Sequence, residues 1–139
     1  MQLTKCTLTP GYVYDATVTR IVDGDTIEVE LNLGLYTKVE KQTIRFWGIN
    51  APETHGKTKA MGLRSKEFVK CRLLGGTNVI IETFKDKRKG GDKRGSFNRW
   101  LGLVWYKRKT KNGRSYRWIN LNEELVRKKL AIRFKERKS

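Results

Sequence analysis

Acidic residues are scarce in this chain, with 14 Asp and Glu against 31 Lys and Arg, and histidine, cysteine and proline number one, two and two in 139 residues. Cys6 and Cys71 have neither metal-site nor redox-motif spacing, which excludes a cysteine-built metal centre and leaves buried or free thiols as the default, with a disulfide between them an open alternative. No stretch approaches the apolar length needed to span a bilayer. The N-terminal MQLTKCTLTPGYVY has one lysine and no signal-length apolar run, so the expectation is an intracellular protein or a secreted one already processed. Internal repeats are absent, and low complexity is confined to the basic runs.

What the chain does have is positive charge, formally +17. Such a balance keeps a chain soluble and attracts polyanions, phosphate backbones above all. The charge is one-sided: residues 1–84 carry 11 basic and 9 acidic residues, residues 85–139 carry 20 and 5. Cations that merely solvate exposed faces are the alternative, but an excess this lopsided destabilises a compact domain by self-repulsion unless something offsets it. Nucleic acid is the leading partner, and the length predicts a single domain over 1–139.

Residues 12–22 (YVYDATVTRIV) and 25–31 (DTIEVEL) alternate apolar and polar positions with many β-branched residues, predicting two strands joined at Asp23-Gly24. A third β-rich run covers Thr43 to Trp47 after a polar stretch, Asn32 to Gln42, that reads as a long hairpin connection. A loop built on Asn50-Ala51-Pro52-Glu53 follows. From about Lys59 to Leu74 the residues Met61, Leu63, Phe68, Val69, Cys71 and Leu73 fall mostly on one helical face, and Gly75-Gly76 ends the run. Residues 78–84 (NVIIETF) and 99–106 (RWLGLVWY) read as strands flanking a basic, glycine-containing loop over 85–98. Asn112-Gly113 signals a hairpin between 107–111 and 114–119, and a second helix is expected over Asn122 to Leu130, with Leu125, Val126, Lys129 and Leu130 spaced to cover a core. These elements predict a mainly β, α+β fold: a five-stranded OB-type barrel with two helices and a small extra hairpin, a fold whose face and loops bind oligonucleotides.

Hydrolysis of a phosphodiester with one metal ion needs oxygen ligands, a carboxylate to activate water, and cations for the phosphoryl oxygens. Asp23-Gly24-Asp25-Thr26 at a strand junction, Arg45 on the third strand, Asn50 to Glu53 in the next loop and Arg99 at the start of a later strand supply each. Singly they are weak: Asp-Gly-Asp is a common turn, Arg45 could pair with Glu28 or Glu30, and Glu53 could be a solvated loop carboxylate. Their combination is what points to chemistry. His55, the only histidine, reads as a solvated loop residue. Trp47, Trp100, Trp105 and Trp118 could stack on bases, although strand alternation favours core or barrel-wall positions for most of them.

The ordered set IVDGDTIEVEL, TIRFWGINAPET, DKRGSFNRWLGLVWY and NLNEELVRKKLA is similar to the successive motifs of the staphylococcal nuclease (thermonuclease) family, over about residues 12–131. The resemblance implies an OB-type barrel and a Ca²⁺-dependent nuclease acting on DNA and/or RNA. It implies that Asp25 is a calcium ligand with Asp23 close behind it, that Asn50 and the backbone carbonyl of Ala51 complete the protein side of the metal site, and that Glu53 orients or deprotonates the attacking water. Arg45 and Arg99 would bind the scissile phosphate, a task suited to bidentate guanidinium donors. Lys87, Arg88, Lys89 and Lys93 would contact the nucleic acid backbone, and Phe97 would take the base-stacking role.

Three departures qualify the match. Asn50 stands where the family enzyme has an aspartate, so the site carries one negative charge fewer, although an amide oxygen is an acceptable ligand for Ca²⁺. The loop reads Gly95-Ser96-Phe97-Asn98 where the family commonly has tyrosine and glycine. The family enzyme also continues into a third helix where this sequence stops, leaving 132–139 to supply at most a short strand or turn anchored by Ile132 and Phe134, with some apolar surface exposed or covered by a second copy in a monomer or weak homodimer. Two other readings compete: a non-catalytic OB-type module that tracks phosphate backbones, and a structural basic protein that merely neutralises nucleic acid. Neither requires Asp25, Arg45, Glu53 and Arg99 together.

Overall fold

The computed structural model describes residues 12–73, 76–84 and 99–134. Three long strands open the fold: β1 (Val13–Asp23), β2 (Thr26–Gly34) and β3 (Thr37–Phe46). After the two-residue β4 (Ile49–Asn50) come a 3-10 turn over Gly56–Thr58 and helix α1 (Lys59–Arg72). Then follow β5 (Asn78–Phe84), β6 (Arg99–Lys109), β7 (Tyr116–Asn120), α2 (Leu121–Arg127) and β8 (Ile132–Arg133).

The sheet order is β3-β2-β1-β5-β6-β7, and β3 also pairs in parallel with β6, so β1, β2, β3, β5 and β6 close into a barrel with β7 as an added strand. Closure satisfies strand edges that would otherwise be exposed. Alternation supplies the interior: Val18 on β1, Ile27 and Val29 on β2, Ile44 and Phe46 on β3, and Val79 and Ile81 on β5 are all fully buried, each contributing on the order of 1.5–3 kcal/mol. α2 closes one side of the barrel. Asn120 caps its N-terminus by accepting the Glu123 N–H at 3.2 Å, and Asn122 donates to the carbonyls of Trp47 (2.9 Å) and Gly102 (3.0 Å) while accepting the Val104 N–H (3.0 Å). That side-chain amide ties the helix to two parts of the sheet.

Several expectations are corrected. The stretch 32–42 is no long connection: β2 and β3 run to a two-residue turn at Leu35–Tyr36, with both residues at positive φ (53° and 61°). Neither face of this outer hairpin is buried, so the apolar alternation that betrays a strand is missing, and its turn lacks the Asn or Gly usual at such φ. β6 extends to Lys109 and α2 ends at Arg127. Lys129 is exposed at positive φ rather than covering a core. Ile132, expected as an anchor, is 70% exposed.

On α1 the expected face holds at Val69 and Leu73, with Phe68 packed beside the core, but not throughout. Met61, Leu63 and Cys71 are exposed, whereas Gly62, Ser65, Val69 and Leu73 line the contact. Their spacing is helical, but small residues hold half the positions because the helix approaches backbone there. A Cβ on Gly62 would lie 2.2 Å from the Glu53 carbonyl oxygen, and one on Gly24 would lie 2.7 Å from the Ser65 Cβ. The Ser65 hydroxyl donates to the Leu130 carbonyl at 2.6 Å.

Candidate nuclease site

The tight turn at Gly24–Asp25, the end of β3 and the loop after β4 meet at one end of the barrel. Thr26 pairs with Arg45 across β2 and β3, and the Phe46 N–H donates to the Asp25 carbonyl at 2.7 Å. These bonds place the β1–β2 turn beside the arginine. The loop is tied to the same turn by side chains: Asp25 Oδ2 accepts the Ala51 N–H at 3.0 Å, and Asp23 Oδ1 accepts the Thr54 hydroxyl at 3.1 Å. Thr26 Oγ1 donates to Asp25 Oδ1 at 3.0 Å. From the other side, the contact of Gly62 with Pro52 and Glu53 presses α1 against the loop backbone.

Together these segments enclose a cavity of about 370 Å³ lined by Asp23, Asp25, Thr26, Arg45, Asn50 and Glu53, with Ala51 and Pro52 at its wall. Arg45 is only 4% exposed. Burial of a cation is costly without partners, and here Nη2 donates to the Ile49 carbonyl at 3.2 Å and, in a short hydrogen bond, to Asn50 Oδ1, while the Phe134 ring lies with its centroid 5.5 Å from the guanidinium carbon. The acids considered as alternative partners pair elsewhere: Glu28 with Arg20 at 3.6 Å and Glu30 with Lys38 at 3.3 Å.

Glu53 differs in setting. Its side chain is 70% exposed, with Oε2 3.5 Å from His55 Nε2, so the one histidine stands beside the carboxylate. The His55 side chain is 83% exposed, as expected of a solvated loop residue; the tether from Thr54 was not foreseen, since its position two residues after a loop proline offers no signal for it. The β4–β8 pair, Asn50 opposite Ile132, brings 132–134 along this wall. A second cavity of about 390 Å³, lined by Glu53, Thr58, Met61, Leu130 and Ile132 among others, adjoins the first.

Arg99 opens β6, and its backbone pairs with Thr43, two residues before Arg45 on β3. Lys87, Arg88, Lys89, Lys93 and Phe97, and also Cys6, lie outside the described residues. Cys71 is an exposed thiol on α1. Of the tryptophans, Trp47 packs on Phe84 with centroids 5.6 Å apart and Trp100 donates from Nε1 to Gln42 Oε1 at 3.3 Å, both at the barrel wall, whereas Trp118 is 51% exposed. Among the described residues no three His, Cys, Asp or Glu side chains gather closely enough to hold a metal ion, and no helix is long and apolar enough to cross a membrane.

In this small OB-type barrel the first turn, third strand and following loop bring two aspartates, a glutamate and a buried arginine to one polar cavity. The family model described as staphylococcal nuclease homologue matches residues 43–139, and the chain belongs to that family, one of nucleases and nucleic-acid-binding domains. An uncharacterized protein of Methanocaldococcus jannaschii is 28% identical, with 82% of this chain and 56% of that protein covered. The chain therefore spans little more than half the length of this relative.

Proposed function

We propose that the protein is a metal-dependent nuclease that hydrolyses phosphodiester bonds in DNA or RNA, acting as a monomer or weak homodimer. The observation that carries this reading is the shared cavity of Asp23, Asp25, Arg45, Asn50 and Glu53. Its donors are all oxygens: the Asp25 carboxylate, the Asn50 amide, the Ala51 carbonyl and, just behind, Asp23. That set fits Ca²⁺, a hard cation that favours carboxylate and carbonyl ligands. Bound there, the ion would supply Lewis-acid polarisation of a phosphoryl oxygen.

The remaining work falls to the side chains. Glu53 takes a proton from water as the water oxygen forms its bond to phosphorus, an open carboxylate being suited to hold that water. The P–O bond to the departing nucleotide breaks, and the leaving oxygen takes its proton from solvent. Arg45 and Arg99 neutralise charge growing on the phosphoryl oxygens, where interaction in a buried setting is strongest. Lys87, Arg88, Lys89, Lys93 and Phe97 draw in and hold the strand.

One observation favours the non-catalytic binding module instead: the Arg45 guanidinium is already hydrogen-bonded to the Asn50 oxygen that would ligate the ion. The two readings separate on one assay. Incubated with single-stranded DNA and single-stranded RNA, the protein should cleave at least one in Ca²⁺ and neither in excess chelator. Binding without cleavage in Ca²⁺, Mg²⁺ and Mn²⁺ alike would leave only the module.

A further inference from the structure

Beyond the barrel, β6 and β7 continue as a two-stranded hairpin, with Lys107 opposite Trp118, Arg108 opposite Arg117 and Lys109 opposite Tyr116. Paired residues share a face of a ladder and neighbours along a strand alternate, so Lys107, Lys109, Tyr116 and Trp118 occupy one face. Tyr116 and Trp118 are 54% and 51% exposed. The Lys107 amino group lies 4.5 Å from the Tyr116 ring centroid and 5.9 Å from that of Trp118. The other cations crowd close by: Arg108, Lys111, Arg114 and Arg117 are all exposed, no acidic residue occurs between Arg99 and Asn122, and among the described residues none of these cations enters an ion pair. The chain's nearest acids in sequence are engaged elsewhere, Glu123 with Arg133 and Glu124 with Arg72 and Arg127.

The hairpin's turn is also tied by hydrogen bonds. Thr110 and Ser115 close it through backbone and hydroxyl bonds, the Arg114 N–H donates to Asn112 Oδ1 at 3.0 Å, and Gly113 takes φ 68°. Like charges packed on one two-stranded ribbon repel one another and favour a polyanion that neutralises them. Two half-open aromatic rings on the same face add what a phosphate chain alone cannot use, platforms for unpaired bases. Lys107 lies near the centre of the β6–β7 ladder, six residues beyond Leu101, the partner of Arg45, which at about 3.3 Å per residue is roughly 20 Å along the strand.

We propose that the β6–β7 hairpin is a second nucleic-acid surface, which holds a single strand by stacking bases on Tyr116 and Trp118 and pairing phosphates with Lys107 and Lys109, remote from the cavity that cuts it. The inference rests on the nucleic-acid reading of the protein and not on its catalysis. Bases compete with Lys107 for the rings, and the displaced amino group meets the phosphate beside them.

Anisotropy of fluorescein-labelled oligothymidylate and oligouridylate of about 20 nucleotides, longer than the site of one OB domain, measured in chelator, tests it. Tyr116→Ala with Trp118→Ala should weaken single-strand binding at least about tenfold for one or both strands and duplex binding far less. Trp118→Phe, which keeps a stacking ring, should retain most of the affinity. Lys107→Ala with Lys109→Ala should flatten the dependence of log affinity on log salt by about one per lysine. A thymidine phosphate p-nitrophenyl ester, too short to reach the hairpin from the cavity, should be hydrolysed equally by wild type and all hairpin variants. The proposal is overturned if the aromatic double variant binds single strands like wild type, if it loses single strand and duplex in equal proportion, or if ester hydrolysis falls with strand affinity. Absence of ester hydrolysis in wild type would count against the catalytic reading alone, since the binding arms do not depend on it.

Discussion

Asn50 is the residue on which the site's electrostatics turn. Its amide oxygen accepts from Arg45 and borders the same cavity as Asp25, so it shares one oxygen between a cation of the protein and the proposed ion. Asn50→Asp adds a negative charge and a second oxygen, one for Arg45 and one for the metal. Calorimetric titration should show tighter Ca²⁺ binding, because added charge attraction at a hard-oxygen site outweighs the unchanged geometry; equal or weaker binding would remove residue 50 from the ligand set. Gly62 acts at the same scale through space alone. Alanine would ordinarily favour a helix by about 1 kcal/mol over glycine, but here its Cβ would meet the Glu53 carbonyl oxygen at 2.2 Å and carbon at 2.5 Å. Both are backbone atoms with little room to yield, so overpacking, about 1–3 kcal/mol, exceeds the propensity gain. Gly62→Ala should lower the melting temperature and, by displacing Glu53, reduce turnover by at least about tenfold. A variant more stable than wild type with full activity would show that α1 does not set the loop's position.

Among the elements, α2 and β6 are joined by the one buried acid of the helix, Glu124, which accepts the Tyr106 hydroxyl at 2.7 Å and faces Arg72 at 3.3 Å. Burial first, then the neighbouring Glu124, pushes the Tyr106 phenol up to about 12. A phenol that holds its proton more tightly when folded contributes stability that is complete below its ordinary value near 10 and is lost as pH rises through 12. The urea midpoint of wild type should therefore fall more steeply between pH 10 and 12 than that of Tyr106→Phe, which should be less stable at neutral pH because Glu124 loses a donor. Parallel alkaline profiles for the two proteins would contradict the coupling. None of this pair was legible in the sequence, where no spacing links Glu124 to Tyr106 or Arg72. What was legible were elements with one buried face: β1, β2, β5 and the first part of β6 alternate cleanly, and α1 has its bounds marked by Lys59 and the glycines after Leu74. The outer β2–β3 hairpin was hidden because it buries neither face, and the first half of the α1 contact face because close approach to backbone selects Gly62 and Ser65, which carry no hydrophobic signal, whereas Val69 and Leu73 were legible. The motifs named Asp25, Arg45, Asn50 and Glu53, which line one cavity, whereas the tether from Thr54 to Asp23 and the Phe134 ring on Arg45 depend on chain segments brought together only by folding.

At the scale of the whole molecule, the chain carries a formal charge of +17, yet three of its acids come together. Asp23, Asp25 and Glu53 meet in a single cavity, and the β6–β7 hairpin carries cations with no acid among them. Under the proposed function, this separation would let one small domain attract a polyanion while keeping a local site for a cation, which uniform positive charge would repel. The central claim is that Glu53, exposed and held by the loop that α1 supports, activates the water. Its direct test is the initial rate of single-strand cleavage in Ca²⁺ for wild type and Glu53→Gln, with melting temperature as the control for folding. Because the Glu53 side chain is 70% exposed, the two proteins should melt alike, while the variant loses at least about a hundredfold in rate, the scale of a missing general base. Equal rates for the two proteins would contradict the account.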